Sequence, residues 1–254
     1  GLEFDWIDTR NPENVKKNIK SNTKLVHVET PTNPLLELCD LEETSKVCKE
    51  AGVFLSVDNS FMSPYGQRPL EFGVDVVMQS STKSLSGHSD VLGGVLTTNN
   101  EDLAERLQFM LKATGGVPSP FDNWILLRST KTLALRYQKA SDNAEKLADW
   151  LNKQESIDHI IYPGLKSHPQ NEIATRQQRT PNGDIIYGNM ISIDLGNTQS
   201  RDSFLNHLEV FTLAESLGGV ESLVCVPFNM THAAVPVETK LEMGITESLI
   251  RLSI

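Results

Sequence analysis

Val53-Phe54-Leu55-Ser56-Val57-Asp58-Asn59 is almost unbroken apolar sequence that stops on a carboxylate and an amide. A short apolar run bounded by turn residues is the pattern of a buried strand. Upstream, Leu41 to Ala51 has helical spacing and closes on Gly52, the residue type that most readily takes the left-handed backbone ending a helix. Before that helix, Leu25 to Glu29 is another apolar run, cut off by Thr30-Pro31-Thr32-Asn33-Pro34, where two prolines bar both helix and inner strand. The order is strand, helix, strand, with polar residues at each strand's exit.

The pattern continues downstream. Val74 to Met78 exits into Gln79-Ser80-Ser81-Thr82-Lys83, and Gly94 to Thr97 follows a glycine-rich loop as a further strand. Short buried strands alternating with helices predict an α/β domain with a mostly parallel sheet flanked by helices. Ligands of such sheets collect outside the carboxyl ends of the strands, which is where Asn33, Asp58 and residues 80–83 converge.

From Glu101 the chain reads as helical through Lys112, then from Phe121 to Arg128 and from Lys131 to Asn152, with a break at Gly115-Gly116-Val117-Pro118-Ser119-Pro120. Ile157 to Tyr162, Asn189 to Leu195, Val210 to Leu213 and Leu249 to Ile254 follow as strands, with helices near Glu172, Ser203 and Glu238. This predicts a large domain over residues 1–152 and a smaller C-terminal α+β domain over 153–254. The chain opens without a methionine and stops inside an apparent strand, so a piece of a longer protein is expected.

Composition narrows the partners. The chain has 254 residues, 39% of them hydrophobic, and a formal net charge of -10. That offers no basic field for nucleic acid or anionic lipid, and no apolar stretch approaches the roughly 18 residues of a membrane span. A small soluble substrate is the expectation. Cys39, Cys48 and Cys225 are odd in number and lack CxxC spacing, which argues against a disulfide framework or zinc knuckle and for a reducing, cytoplasmic compartment. The six histidines show neither HxxxH nor HExxH spacing, so no metal is expected.

The polar cluster suits a phosphorylated aromatic aldehyde. Lys83 offers an amine for an imine, provided its surroundings lower a pKa that is ordinarily about 10.4. Ser80 and Thr82, sharing one side of an extended turn, offer hydroxyls to a phosphate. Asp58 can face a pyridinium nitrogen and keep it protonated. Taken singly, Lys83 also reads as a solvated surface lysine and Asp58 as a strand terminator bonded to its own backbone. Ser80-Ser81-Thr82-Lys83 further matches the S-x-x-K signature of serine β-lactamases, with Ser80 as nucleophile. Its companions are missing, since Ser89-Asp90-Val91 is not S-D-N and Lys131-Thr132-Leu133 lacks the glycine.

In combination these segments resemble the cysteine and methionine metabolism family of fold-type I pyridoxal 5'-phosphate (PLP) enzymes. The likeness runs through Glu29-Thr30-Pro31-Thr32-Asn33-Pro34, Val57-Asp58-Asn59-Ser60-Phe61, Ser80-Ser81-Thr82-Lys83, Gly87-His88-Ser89-Asp90 and Pro118-Ser119-Pro120. It continues in Tyr162-Pro163-Gly164-Leu165, residues 213–223, Met230-Thr231-His232 and Ile250-Arg251-Leu252-Ser253. Many such motifs in one order are specific where each alone is weak.

The resemblance implies roles. Lys83 is the Schiff-base lysine, Asp58 the pyridinium partner, and Ser80 and Thr82 the phosphate ligands. Asn33 sits by the cofactor's phenolic oxygen and the substrate carboxylate, which Arg251 clamps as a bidentate fork, while Ser216 holds the catalytic lysine and Leu217 lies against the substrate. Glu215 resembles the acid of family members that handle cystathionine, whose distal ammonium needs an anion. The implied reaction is γ-elimination on cystathionine, releasing cysteine, 2-oxobutanoate and ammonia, with γ-synthase or related γ-replacement chemistry as the alternative. A noncatalytic remnant that binds a partner is the expectation only if the protein is naturally this short. The family's ring-stacking tyrosine, glycine-rich phosphate turn, and the tyrosine and arginine lent by a neighbouring subunit all precede the segment resembling residue 1. A homotetramer, a dimer of dimers, is implied. Three positions depart from the pattern: Ser81 for alanine, Ser84 for an aromatic, and Ser86 for asparagine. These polar changes near the cofactor are expected to signal a changed substrate choice, and the stretch Gln177 to Gly188, which reads as longer than in close relatives, to reshape the entrance from the small domain.

Overall fold

A computed structural model describes residues 1–254. Its first sheet has four strands, β1 (Leu25–Glu29), β2 (Phe54–Asp58), β3 (Val76–Ser80) and β4 (Gly94–Thr97), in spatial order β1-β2-β3-β4. The first three are parallel and β4 is antiparallel to β3. Helix α1 (Pro12–Asn18), which sequence periodicity did not reveal, starts at Asn11, whose side chain accepts from the Glu13 N–H. Helix α2 (Leu41–Ala51) is capped by Asp40 and ends on Gly52 at φ 65°.

Val15, Leu41 and Cys48 of these helices pack on Val26, Val28, Leu55, Val57 and Val77. Each such fully buried aliphatic side chain contributes about 1.5–3 kcal/mol. The strands are less evenly buried than their apolar composition suggests, because α1 and α2 cover one face. Leu25 is 54% exposed and alternates with buried Val26 and Val28. Strand β3 also starts two residues later than Val74, since the Asp75 carboxylate accepts the Leu55 N–H at 2.8 Å and pairing with β2 begins at Val76. This shift makes Ser80 the last strand residue. The segment Ser81–Leu85 then coils into a short helical turn instead of the expected extended one, with Lys83 outside helical geometry at φ -92°, ψ -134°.

Helices α3 (Ser63–Gly66), α4 (Glu101–Thr114), α5 (Pro120–Thr130) and α6 (Leu133–Leu151) follow. The N-terminal half of α6 packs Leu133 and Tyr137 against Met62, Leu85 and Ile186, and Tyr137 Oη donates to Phe61 O at 2.6 Å. Its C-terminal half places Ala144, Ala148 and Leu151 in a second core with Ile191, Ile193, Val224, Ile250 and Leu252.

That core lies under the second sheet. Its strands are β5 (His159–Ile161), β6 (Met190–Asp194), β7 (Thr212–Leu213), β8 (Leu223–Cys225) and β9 (Leu249–Ser253), ordered β5-β6-β9-β8-β7. All neighbours are antiparallel except β7 and β8. The three-residue β8 escaped the sequence reading because so short a run shows no period. Helices α7 (Asn171–Gln177), α8 (Thr198–Asn206) and α9 (Val237–Glu242) fall where the sequence predicted them. Strand β9 is central and wholly buried, Arg251 included at 2% exposure.

Buried polar bonds join the two sheets. Ser192 Oγ donates to Pro34 O at 2.6 Å, Gln170 Oε1 accepts from Leu38 N at 2.7 Å, and Gln177 Nε2 donates to Cys39 O at 3.1 Å. The Asn33 loop is thereby held against the sheet that carries Arg251. No helix is long and apolar enough to cross a membrane.

Candidate active site

A cavity of about 470 Å³ opens at the carboxyl ends of β1, β2 and β3 and is closed on its far side by β9 and the 215–217 segment. Asn33, Asp58, Ser80, Lys83, Glu215, Ser216, Leu217 and Arg251 all line it. Thr82 does not. Its hydroxyl accepts the Gly93 N–H at 3.0 Å and lies 3.4 Å from Gly93 O, because the coiled turn rotates it toward β4.

Lys83 is half-buried, and its Nζ donates to Ser216 Oγ at 3.4 Å. Burial, and then the nearby positive charge of Arg251, pull its pKa below the ordinary lysine value, with Glu215 acting the other way. A larger share of the amine is therefore free base and nucleophilic. Asp58 Oδ1 accepts the Ser60 N–H at 2.9 Å, and Ser60 Oγ accepts the Ser80 N–H at 2.7 Å. These two bonds tie the exit of β2 to the exit of β3.

Arg251 reaches the cavity from the opposite sheet. Its Nη1 donates to Asn33 Oδ1 at 2.7 Å and its Nη2 to Glu215 O at 2.7 Å, while the buried Nε has no partner in the protein. Burial lowers its pKa, opposed by Cys225, Glu29 and Glu215. The result is a fixed, desolvated cation aimed at the cavity, suited to a carboxylate.

Four further residues line the space without having been assigned a role from sequence: Glu29, Ser60, Phe61 and Thr231. All lie inside or beside motifs quoted above, so adjacency to Asn33, Asp58 and His232 was the available signal. Glu29 stands out. Burial, and then the Asp58 charge, push its carboxyl up to about 7, against the Asn33 backbone N–H and Arg251.

The departures from the family pattern lie elsewhere. Ser84 borders a second cavity of about 420 Å³ with Arg136, Tyr137 and Gly218, and its buried hydroxyl has no partner. Ser81 is buried with its N–H donating to Gly93 O at 2.9 Å, and Ser86 Oγ donates to Asp90 Oδ1 at 3.2 Å. None of the three lines the Lys83 cavity. Residues 177–188 do not line this cavity either. Gln177 Nε2 donates to Cys39 O at 3.1 Å and its Oε1 accepts the Leu41 N–H at 3.3 Å, Arg179 O accepts from Arg68 at 2.8 Å, and the buried side-chain amide of Gln178 has no partner.

The residues present fit PLP. An amine of lowered pKa, a carboxylate at the end of the neighbouring strand, strand-end hydroxyls and a buried guanidinium are the donor set such a cofactor and an amino-acid substrate require. The S-x-x-K hydrolase reading lacks support, since the Lys83 amine bonds to Ser216 and not to Ser80.

Comparison with known proteins agrees with this chemistry. Cystathionine gamma-lyase of Bacillus subtilis (strain 168) is 47% identical over 254 residues, covering 100% of this chain and 65% of the relative. Cystathionine beta-lyase of Lactococcus lactis subsp. cremoris (strain MG1363) is 44% identical with the same coverage. Among solved structures, cystathionine gamma-lyase from Lactobacillus plantarum, complexed with L-serine, superposes with a TM-score of 0.93 at 40% identity, over 97% of this chain and 63% of that one. Cystathionine gamma synthase from Xanthomonas oryzae pv. oryzae gives 0.92 at 39%, over 98% and 63%. The chain thus spans somewhat under two thirds of the length of the relatives it matches. The architecture is that of the fold-type I PLP enzymes, and because the family model for Cys/Met metabolism PLP-dependent enzymes matches all of residues 1–254, the chain belongs to that family.

Proposed function

We propose that the protein carrying this chain is a PLP-dependent lyase that cleaves cystathionine by γ-elimination, releasing cysteine, 2-oxobutanoate and ammonia. The observation that supports it most is the half-buried Lys83 amine, of lowered pKa, on one cavity with Asp58 and Arg251. When bound, the cofactor supplies an electron sink for negative charge developing at the substrate's Cα.

Lys83 would hold the cofactor's aldehyde, and its free amine would take and return protons at the substrate's Cα and Cβ. Ser216, 3.4 Å from Nζ, keeps that amine on the cavity side. Asp58 would face the ring nitrogen. Ser80 would donate its hydroxyl to the phosphate, and Thr82 would join it by turning its O–H away from the weak 3.4 Å contact with Gly93 O. Arg251, oriented by Asn33, clamps the substrate carboxylate. Exposed Glu215 meets the distal ammonium of cystathionine, and Leu217 lines the wall beside it.

Likeness to a β-lyase and a γ-synthase keeps two neighbouring readings in view, β-elimination and γ-replacement on an activated homoserine. Borohydride reduction of the PLP-loaded protein followed by peptide mapping tests the core assignment, and a pyridoxyl adduct on Lys83 is expected. Absence of any adduct there would refute it. Assay with cystathionine then separates the reactions: cysteine release means γ-elimination, homocysteine release β-elimination, and cystathionine formation from an activated homoserine ester γ-replacement. Native mass measurement tests the proposed homotetramer.

A further inference from the structure

Glu29 and Asp58 are the last residues of adjacent parallel strands and are paired in register. In-register neighbours of a sheet project from the same face, so both carboxyl groups enter the same cavity, and both line it. Burial, and then the charge of Asp58, disfavour the ionised form of Glu29 and push its carboxyl up to about 7. Asp58 Oδ1 accepts the Ser60 N–H at 2.9 Å. The other charged groups facing the pair are Lys83 from the turn after β3, Arg251 from β9 and Glu215 from the segment after β7. Arg251 draws the Glu29 carboxyl down, but less than burial and the Asp58 charge push it up.

We propose that Glu29 is a positioning residue for Asp58, a neutral carboxyl beside it that donates its O–H toward the Asp58 carboxylate and leaves Asp58 as the single anion facing the cofactor's ring nitrogen. A neutral acid in this place orients Asp58 without doubling the negative charge at the cavity floor. The first half of this inference, the neutral acid, stands on the unloaded protein. The second rests on the PLP reading above.

Two measurements on the full chain separate them. In cofactor-free protein, infrared pH titration should show a protonated-carboxyl carbonyl band that persists to about pH 7 and is missing in Glu29→Gln. Identical titrations in the two proteins would overturn the proposal, whether or not either binds PLP. In the second arm, PLP affinity is read by absorbance titration. Glu29→Gln, a neutral amide that still donates, should bind within about twofold of wild type, whereas Glu29→Met should bind about tenfold or more weakly, as expected for a lost hydrogen bond to a charged group. Equal loss in both variants would assign Glu29 the role of an anion, and no loss in either would remove it from the site; both outcomes overturn the proposal. Failure of wild type itself to bind PLP counts against the cofactor reading and leaves the infrared arm to decide the protonation of Glu29. Should Glu29→Met fail to fold, Glu29→Gln and the infrared arm carry the decision.

Discussion

Arg251 and Asn33, 218 residues apart in sequence, share a 2.7 Å hydrogen bond that closes the candidate site between the two sheets. The guanidinium is buried and fixed by three acceptors, Asn33 Oδ1, Glu215 O and Ser216 O. Lysine cannot reproduce that fork, since its ammonium is a single point on a flexible stem. Arg251→Lys is expected to raise KM for the amino-acid substrate about ten- to a hundredfold, the range of one lost charge-assisted bond. Steady-state kinetics with cystathionine checks this, and an unchanged KM would remove Arg251 from carboxylate binding.

Lys83 is held by one long contact and contributes little to the core. Lys83→Ala is therefore expected to abolish turnover and the borohydride adduct while leaving the thermal midpoint within a few degrees of wild type. Turnover at a normal rate in that variant would refute the assignment.

Ser216 is the only hydrogen-bond partner of the Lys83 amine. Removing its hydroxyl costs the orientation of Nζ and no substrate contact, so Ser216→Ala should lower kcat about two- to tenfold with KM little changed. A change confined to KM would place the hydroxyl on the substrate.

Gln67 is fully buried and sits where the strand exits meet. Its Nε2 donates to Thr30 O at 3.1 Å and to Asn59 Oδ1 at 2.9 Å, and its Oε1 accepts from Gln177 at 3.2 Å. Gln67→Leu leaves Thr30 O and Asn59 Oδ1 without this donor, while Gln177 Nε2 keeps its bond to Cys39 O, and each group left unpaired is expected to cost about 1–3 kcal/mol. Urea unfolding measures it, and a loss below about 1 kcal/mol would mean that the network closes over the gap.

Glu29 makes a pH prediction. Its folded pKa of about 7 lies above the unpaired value of 4.5, so between these pH values the folded state holds more protons than the unfolded chain. Stability carried by the neutral acid is complete below 4.5, declines as pH rises through this window and is gone above about 7, a change of up to about 3 kcal/mol. Denaturant midpoints between pH 4.5 and 7.5 should show this decline in wild type and a flatter curve in Glu29→Gln.

Local pattern was enough for much of this protein. The apolar runs at Leu25 to Glu29 and Val53 to Val57 and the helical spacing of Leu41 to Ala51 are decided by periods a few residues long, and the polar residues that end each strand had to gather at one sheet edge. Motif order carried the family, because residue types around Asp58, Lys83 and Arg251 recur together in one sequence arrangement. What the chain alone did not determine is everything that depends on distant parts meeting in space. The late start of β3 came from Asp75 capping Leu55, the turning of Thr82 away from the cavity from the coil after Ser80, and the placing of Ser84 in a second cavity from the approach of α6. Only the tertiary structure set Glu29 against Asp58 and Arg251 against Asn33, since desolvation and charge proximity belong to the folded neighbourhood and have no counterpart in the linear order of residues.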